Sequence, residues 1–289
     1  MRPMKRREML RISGAGLCAA AIGNRAVGAA AAPRQPGIAL QLYSVRHACA
    51  EDFDAALEAV AGIGCKAVEF AGYYKYRNDA SGLRKRLDDL GLAVAGTHVG
   101  AGTLTDPKAI EFHRTIGCRR LIVPGDKRVR DAEKSKEFAE LLNRAAETLK
   151  PHGMFCGYHN HTHEFAQAGD GDKTWWDLLA ERTAGDVVLQ MDVGHVTRAG
   201  CDPVSYLRKY PGRTRTAHFS PAVAKGDKEA KIFIGEDSIA WREVIAACRE
   251  VGGTDWFIVE QEKRPGDLTQ LECAERSLNG LKAIIAGMG

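Results

Sequence analysis

Between Pro36 and the C-terminus a short apolar run is followed by a longer amphipathic one, eight times over. No other feature restricts the fold as much. The short runs are Ile38–Tyr43, Ala67–Phe70, Ala93–His98, Arg120–Val123, Met154–Tyr158, Val187–Met191, Thr214–Phe219 and Phe257–Glu260. Four to six residues bounded by glycine or turn residues are the signature of strands buried on both faces, as in a parallel sheet. The amphipathic stretches between them read as helices: Phe53–Ile63, Leu83–Leu90, Pro107–Ile116, Ala132–Lys150, Trp175–Arg182, Pro203–Lys209, Ser238–Val251 and Leu268–Ala286. Glycines recur at the helix-to-strand joints, at Gly62 and Gly64, Gly91, Gly117, Gly153, and Gly252 and Gly253, where helices end. Eight strands alternating with eight helices is the count of a closed (β/α)₈ barrel, whereas open doubly wound sheets stop sooner. No GxGxxG follows the first strand, so a dinucleotide site has no support. One barrel over 36–289, without an internal linker, is the simplest division. The longest irregular stretch, Ser220–Asp237, follows strand 7. It reads either as a solvated loop or as a lid over the substrate.

The first 32 residues have a different character. Lys5-Arg6-Arg7-Glu8-Met9-Leu10 resembles a twin-arginine export signal, followed by a weakly apolar Gly/Ala stretch and then Ala29–Ala32 for cleavage. The expected location is therefore exported and periplasmic. The apolar stretch is too short for a stable membrane anchor. This segment holds six of the 41 basic side chains and one of the 37 acidic ones, so the formal charge of +4 belongs to it. The remaining body is close to neutral, which removes the electrostatic case for a nucleic-acid partner. Cys18 lies in the same segment. The other seven cysteines form no CxxC, and several sit in apolar runs, so neither a disulfide framework nor a thiolate metal site is expected.

Barrel chemistry is built where strands run out into the following loops. The polar residues at those exits are Gln41 and Tyr43, Glu69, Thr97 and His98, the run Tyr158–Glu164, Asp192 and His195, His218 and Ser220, and Glu260 and Glu262. Glu164, Asp192, His218 and Glu260 come from consecutive strands. Three carboxylates converging in an enclosed cup repel one another unless a cation joins them. Mixed oxygen and nitrogen donors suit one divalent ion: Mn²⁺, Mg²⁺, Co²⁺ or Zn²⁺.

The segments GIALQLYSVR at 37–46, AVEF at 67–70, YHNHTHEF at 158–165, MDVGH at 191–195 and VE at 259–260 resemble the sugar phosphate isomerase/epimerase family of xylose-isomerase-like barrels. The resemblance runs from about Pro36 to the end. It implies a metal held by Glu, Asp, His and Glu from strands 5 to 8, the last three matching Asp192, His218 and Glu260. Strand 5 departs from the pattern. Tyr158 stands at the usual ligand position and Glu164 at a later one, so Glu164 is favoured as ligand, with His159 or His161 as alternatives. The Lys-Asp that commonly follows the strand-7 histidine is replaced by Phe219-Ser220.

The implied reaction is isomerisation or epimerisation of a sugar or keto-sugar through an enediolate. A lyase, dehydratase or hydratase acting on a 3-keto-glycoside is the alternative, and a non-catalytic sugar-binding barrel a second one. Base candidates are Glu164, His159, His161, Glu260 and Glu69. Candidate substrate contacts are Tyr43, Glu69, His98, Asn160, His195 and Trp241. The expected partner is a small carbohydrate; a homo-oligomer is compatible with the sequence.

Overall fold

Strands buried on both faces must be covered on both, and here they are covered by closing the sheet on itself. The computed structural model describes residues 35–289 except Asp170, Lys225 and Glu229, so the export signal read at 1–32 lies outside the described residues. β1 (Gly37–Gln41), β2 (Ala67–Phe70), β3 (Ala93–His98), β4 (Arg120–Val123), β5 (Phe155–His159), β6 (Val188–Asp192), β7 (Thr216–Phe219) and β8 (Trp256–Val259) pair in parallel and in sequence order. β8 returns to β1 with Leu40 opposite Val259. The chain is a (β/α)₈ barrel.

The outer layer is α2 (Phe53–Gly62), α3 (Ala80–Asp89), α4 (Pro107–Thr115), α5 (Lys134–Leu149), α6 (Trp175–Arg182), α8 (Pro203–Lys209), α9 (Trp241–Ala247) and α10 (Gln270–Ala286). Two short helices were not anticipated, α1 (Arg46–Glu51) and α7 (Val193–Arg198). Side-chain oxygens start the helices. Asp52, Asp79, Asp106 and Asp202 accept from first-turn amides, and Thr174 and Thr269 form capping boxes with Asp177 and Glu272. The stretch expected to be helical to Val251 leaves α9 through a π turn at Cys248–Gly252. Among the described residues no helix is long and apolar enough to cross a membrane.

Period-two alternation sorts each strand into an outward and an inward set. Leu40, Val68, Leu121 and Leu189 join the core beneath the helices. Ala39, Ala67, Ala95 and Ile258 form a separate small apolar cluster, the bottom layer of the barrel interior. Arg120 closes that end by pairing with Asp255. Above the apolar layer the inward residues become polar: Gln41, Glu69, Gln190 and Thr216, all with no exposure. One step further up lie His159, Asp192, His218 and Glu260.

The long stretch after β7 does not form the lid considered for it. Phe233 and Ile234 are buried, the Ile234 amide donates to Ser277 Oγ (3.3 Å), and Arg276 clasps Glu236 at 2.6 Å. The segment is tied to α10, and none of its described residues lines the central pocket.

Candidate metal centre and pocket

Asp192 sits at a junction of three elements. It ends β6 and caps α7: its Oδ1 accepts from the His195 amide (2.6 Å) and from the Ser220 hydroxyl (2.6 Å). This close approach requires Gly194, where a Cβ would lie 2.3 Å from both the carbonyl oxygen and the Oγ of Ser220. Asn160 braces the backbone of Asp192, accepting from its amide at 2.9 Å and donating to its carbonyl at 3.3 Å. The other carboxylate oxygen, Oδ2, is buried and has no hydrogen-bond partner. An orphaned carboxylate oxygen costs a folded protein stability, and so it marks where a ligand belongs.

His159, Asp192, His218 and Glu260 each offer one donor atom, and all four atoms lie within 4.8 Å of one another. They come from the ends of β5 to β8 and are at most 6% exposed. His218 lies between two acids: Nε2 is 2.5 Å from Glu69 Oε2 and Nδ1 is 2.8 Å from Glu260 Oε2. Burial works against a charged imidazole there, but Glu69 and Glu260 outweigh it and hold His218 well above its usual pKa. Burial, reinforced by Glu260, pushes the Asp192 carboxyl up to about 7. His159 is driven the other way, well below its usual value, by burial and then by His218 and His98. These are the signs of acids and imidazoles crowded out of water. Two imidazoles, two carboxylates and one unsatisfied oxygen fit a divalent cation.

This floor opens into a pocket of about 280 Å³. His98, His159 and Glu260 are exposed to it from below, His161 and His195 from one wall, and Tyr43 and Glu262 from the rim. Among the described residues no lysine or arginine lines it. The imidazoles of His161 and His195 lie 4.8 Å apart. Thr162 Oγ1 holds His195 Nδ1 at 3.0 Å. Burial, then Arg198, pulls the His195 pKa down to about 3, and burial also lowers that of His161, so both rings are neutral.

Four expectations need correction. Glu164, favoured as the strand-5 ligand, is fully buried away from the four-donor group. Its oxygens accept from Tyr158 Oη (2.7 Å) and from the His161 amide (2.8 Å), and it belongs to a second set of potential metal donors, with His161 and His163, rather than to the four-donor group. It holds the turn after β5 together. Glu69 is not on a pocket wall; it lies beneath the floor, fully buried, accepting from Gln41 and Gln190. Asn160 is spent on the Asp192 backbone and is equally buried. Trp241 is 2% exposed, stacked on Phe219 at 4.9 Å with its Nε1 donating to Asp237, and belongs to the helix-barrel core. Tyr43, His98 and His195 do border the pocket. Gln190 went unread, and Ser220 was read only as a strand-exit residue. Gln190 lies two positions before Asp192, and alternation alone places it on the inward face. The role of Ser220 has no sequence signal, because it depends on how closely α7 approaches β7.

Residues 57–284 match the sequence profile described as the xylose isomerase-like TIM barrel. The chain belongs to that family. Within it, the chain is similar to the inosose dehydratase of Clostridium beijerinckii, 24% identical over 270 residues that span 80% of this chain and 89% of the relative. Among solved structures it resembles a sugar phosphate isomerase/epimerase from Parabacteroides distasonis, with a TM-score of 0.72, 24% identity, and coverage of 88% of this chain and 96% of that one. It also resembles the IOLI protein with a bound zinc atom, with a TM-score of 0.66, 15% identity, and coverage of 87% and 98%. Both likenesses speak for the fold. This chain is an enzyme of the xylose isomerase-like superfamily.

Proposed function

We propose that this enzyme holds one divalent metal ion on His159, Asp192, His218 and Glu260. With it, the enzyme takes a proton from the carbon beside the carbonyl of an uncharged keto-sugar, which then loses a β-hydroxyl or β-glycosyloxy group. The observation that carries the reading is the unpartnered Asp192 Oδ2 in a four-donor cluster at the floor of a pocket that no lysine or arginine lines among the described residues. Two imidazoles among four donors favour Zn²⁺ or Co²⁺ over Mg²⁺ within the set Mn, Mg, Co and Zn. When bound, such an ion supplies Lewis-acid polarisation of the substrate carbonyl, which acidifies the neighbouring C–H.

The chain's own groups supply the rest. His161 and His195 on one wall are the bases within reach of a sugar standing on the floor, and Thr162 fixes the orientation of His195. Glu262 and the rim Tyr43 lie where they can hydrogen-bond sugar hydroxyls. Without a lysine or arginine among its described lining residues, the pocket offers a phosphoryl group no permanently cationic side chain. That fits the export signal read at 1–32, since phosphorylated sugars are cytoplasmic and an exported enzyme meets free or oxidised sugars and glycosides. The dehydratase named among the relatives supports elimination. A second reading, epimerisation, is favoured by one observation: imidazoles and the carboxylates Glu260 and Glu262 both border the pocket, so proton transfer at either face of one carbon is possible.

The test is incubation of zinc-loaded and cobalt-loaded protein with 3-keto-glycosides and ketoses in deuterated water, followed by NMR. Elimination gives an α,β-unsaturated ketone and a released hydroxyl compound. Epimerisation gives deuterium at a carbon of inverted configuration. Stoichiometric metal with neither product nor exchange across the panel refutes the proton-transfer reading.

A further inference from the structure

Glu69 and Gln190 take no part in the pocket, yet they touch every imidazole on its floor. Glu69 Oε1 accepts from Gln190 Nε2 at 2.8 Å, and Oε2 accepts from Gln41 Nε2 at 2.8 Å and from His218 Nε2 at 2.5 Å. An ionised carboxylate can only accept. The group of Gln190 that faces Glu69 is its NH₂, which also donates to Thr216 Oγ1 at 2.9 Å. The Gln190 carbonyl oxygen then faces the opposite way. It accepts from His98 Nε2 at 2.9 Å and from His159 Nδ1 at 3.1 Å.

We infer that Glu69 and Gln190 are positioning residues that dictate which nitrogen of His218 and of His159 is free to hold the metal. This rests on the metal reading above. With the ion bound, His218 keeps its proton on Nε2, toward Glu69, and gives up the Nδ1 proton that otherwise faces Glu260. His159 carries its proton on Nδ1, leaving Nε2 for the ion. One buried carboxylate thus sets two tautomers, one directly and one through an amide. The strand-5 member of the four-donor group is an imidazole, and an imidazole is a ligand only in the correct tautomer. Gln190 supplies that condition for His159.

The test is Zn²⁺ affinity, measured by competition with a chromophoric chelator. Glutamine at 69 has a single acceptor oxygen for donors that now need two. In Glu69→Gln the Gln190 amide turns over, its NH₂ faces His159 Nδ1, and the His159 proton moves to Nε2. Affinity is expected to fall about 10- to 100-fold. The exchanged pair Glu69→Gln/Gln190→Glu restores an acceptor opposite His159 and His98, and should recover most of that loss. A residue that merely stabilised the fold would not be rescued by moving its charge. ¹⁵N-histidine NMR of the wild-type zinc protein needs no variant: it should find His159 protonated on Nδ1 and His218 on Nε2. Wild-type affinity in Glu69→Gln, no recovery in the exchanged pair, or a reversed His159 tautomer overturns the inference while leaving the metal reading intact. A wild-type protein that takes up no Zn²⁺ overturns the metal reading itself, and this inference with it.

Discussion

Two single substitutions in the turn after β5 separate metal binding from structural support: His159→Leu and Glu164→Gln. Glu164 accepts from Tyr158 Oη at 2.7 Å and from the His161 amide at 2.8 Å. Glutamine keeps one acceptor, and the tyrosine hydroxyl can turn to accept from its amide, so what is lost is mainly the charge assistance of a buried pair. That costs about 1–3 kcal/mol. In a domain of this size it lowers Tm by roughly 2–12 °C, with and without metal alike. His159→Leu acts mainly when metal is present, because Gln190 Oε1 keeps its contact with His98. Zn²⁺ at about 1,000 times its Kd stabilises the wild type by ~4 kcal/mol. Loss of one of four ligands weakens binding by at least ~100-fold, so the same Zn²⁺ then contributes only about 1.4 kcal/mol. The zinc-induced rise in Tm should therefore shrink by roughly 5–11 °C, while the Tm in EDTA changes little. The assay is thermal unfolding with and without Zn²⁺, alongside metal content after dialysis. If Glu164→Gln loses zinc while His159→Leu keeps wild-type affinity, the ligand argument is wrong.

Asp192→Asn should raise Tm in EDTA by roughly 2–8 °C and abolish the zinc-induced shift, because it removes a buried charge whose Oδ2 has no partner; a lower Tm in EDTA would count against the orphaned-oxygen argument. Gly194→Ala forces Ser220 away from α7 and breaks its bond to Asp192 Oδ1, so Zn²⁺ affinity should fall about tenfold or more in chelator competition. His113 is buried, donates from Nδ1 to the Ala109 carbonyl at 2.5 Å and accepts at Nε2 from Tyr73 at 2.9 Å. Burial holds its pKa below the usual 6.5. Its contribution to stability is then complete above about pH 6.5 and is lost as pH falls toward the folded-state pKa. Relative to His113→Gln, the wild type should lose Tm between pH 7 and pH 5; parallel curves for the two proteins would contradict this.

Most of the architecture was legible because it depends on local periodicity. Runs such as Val188–Asp192 are short, apolar and followed by a helix, and eight of them leave little choice but a closed parallel barrel. The same periodicity placed Asp192, His218 and Glu260 at strand ends pointing inward, where the four-donor cluster is found. The fourth member was not legible. Past the end of β5 the period of two stops, and a 3₁₀ turn over Thr162–Phe165 decides where each side chain goes. That turn folds Glu164 back onto Tyr158 and the His161 amide, leaving His159, the last residue of the strand, to face the cluster. Glu69 and Trp241 failed as substrate contacts for a related reason: an inward or strand-adjacent position does not say at which depth in the barrel a side chain lies. Sequence alone thus determined the barrel and three of the four converging residues, because alternation along a strand is a property of the strand. Only the tertiary structure decided which strand-5 group meets them and in which tautomer. Both depend on hydrogen bonds from Glu69 and Gln190, residues 121 positions apart that meet only when the barrel closes.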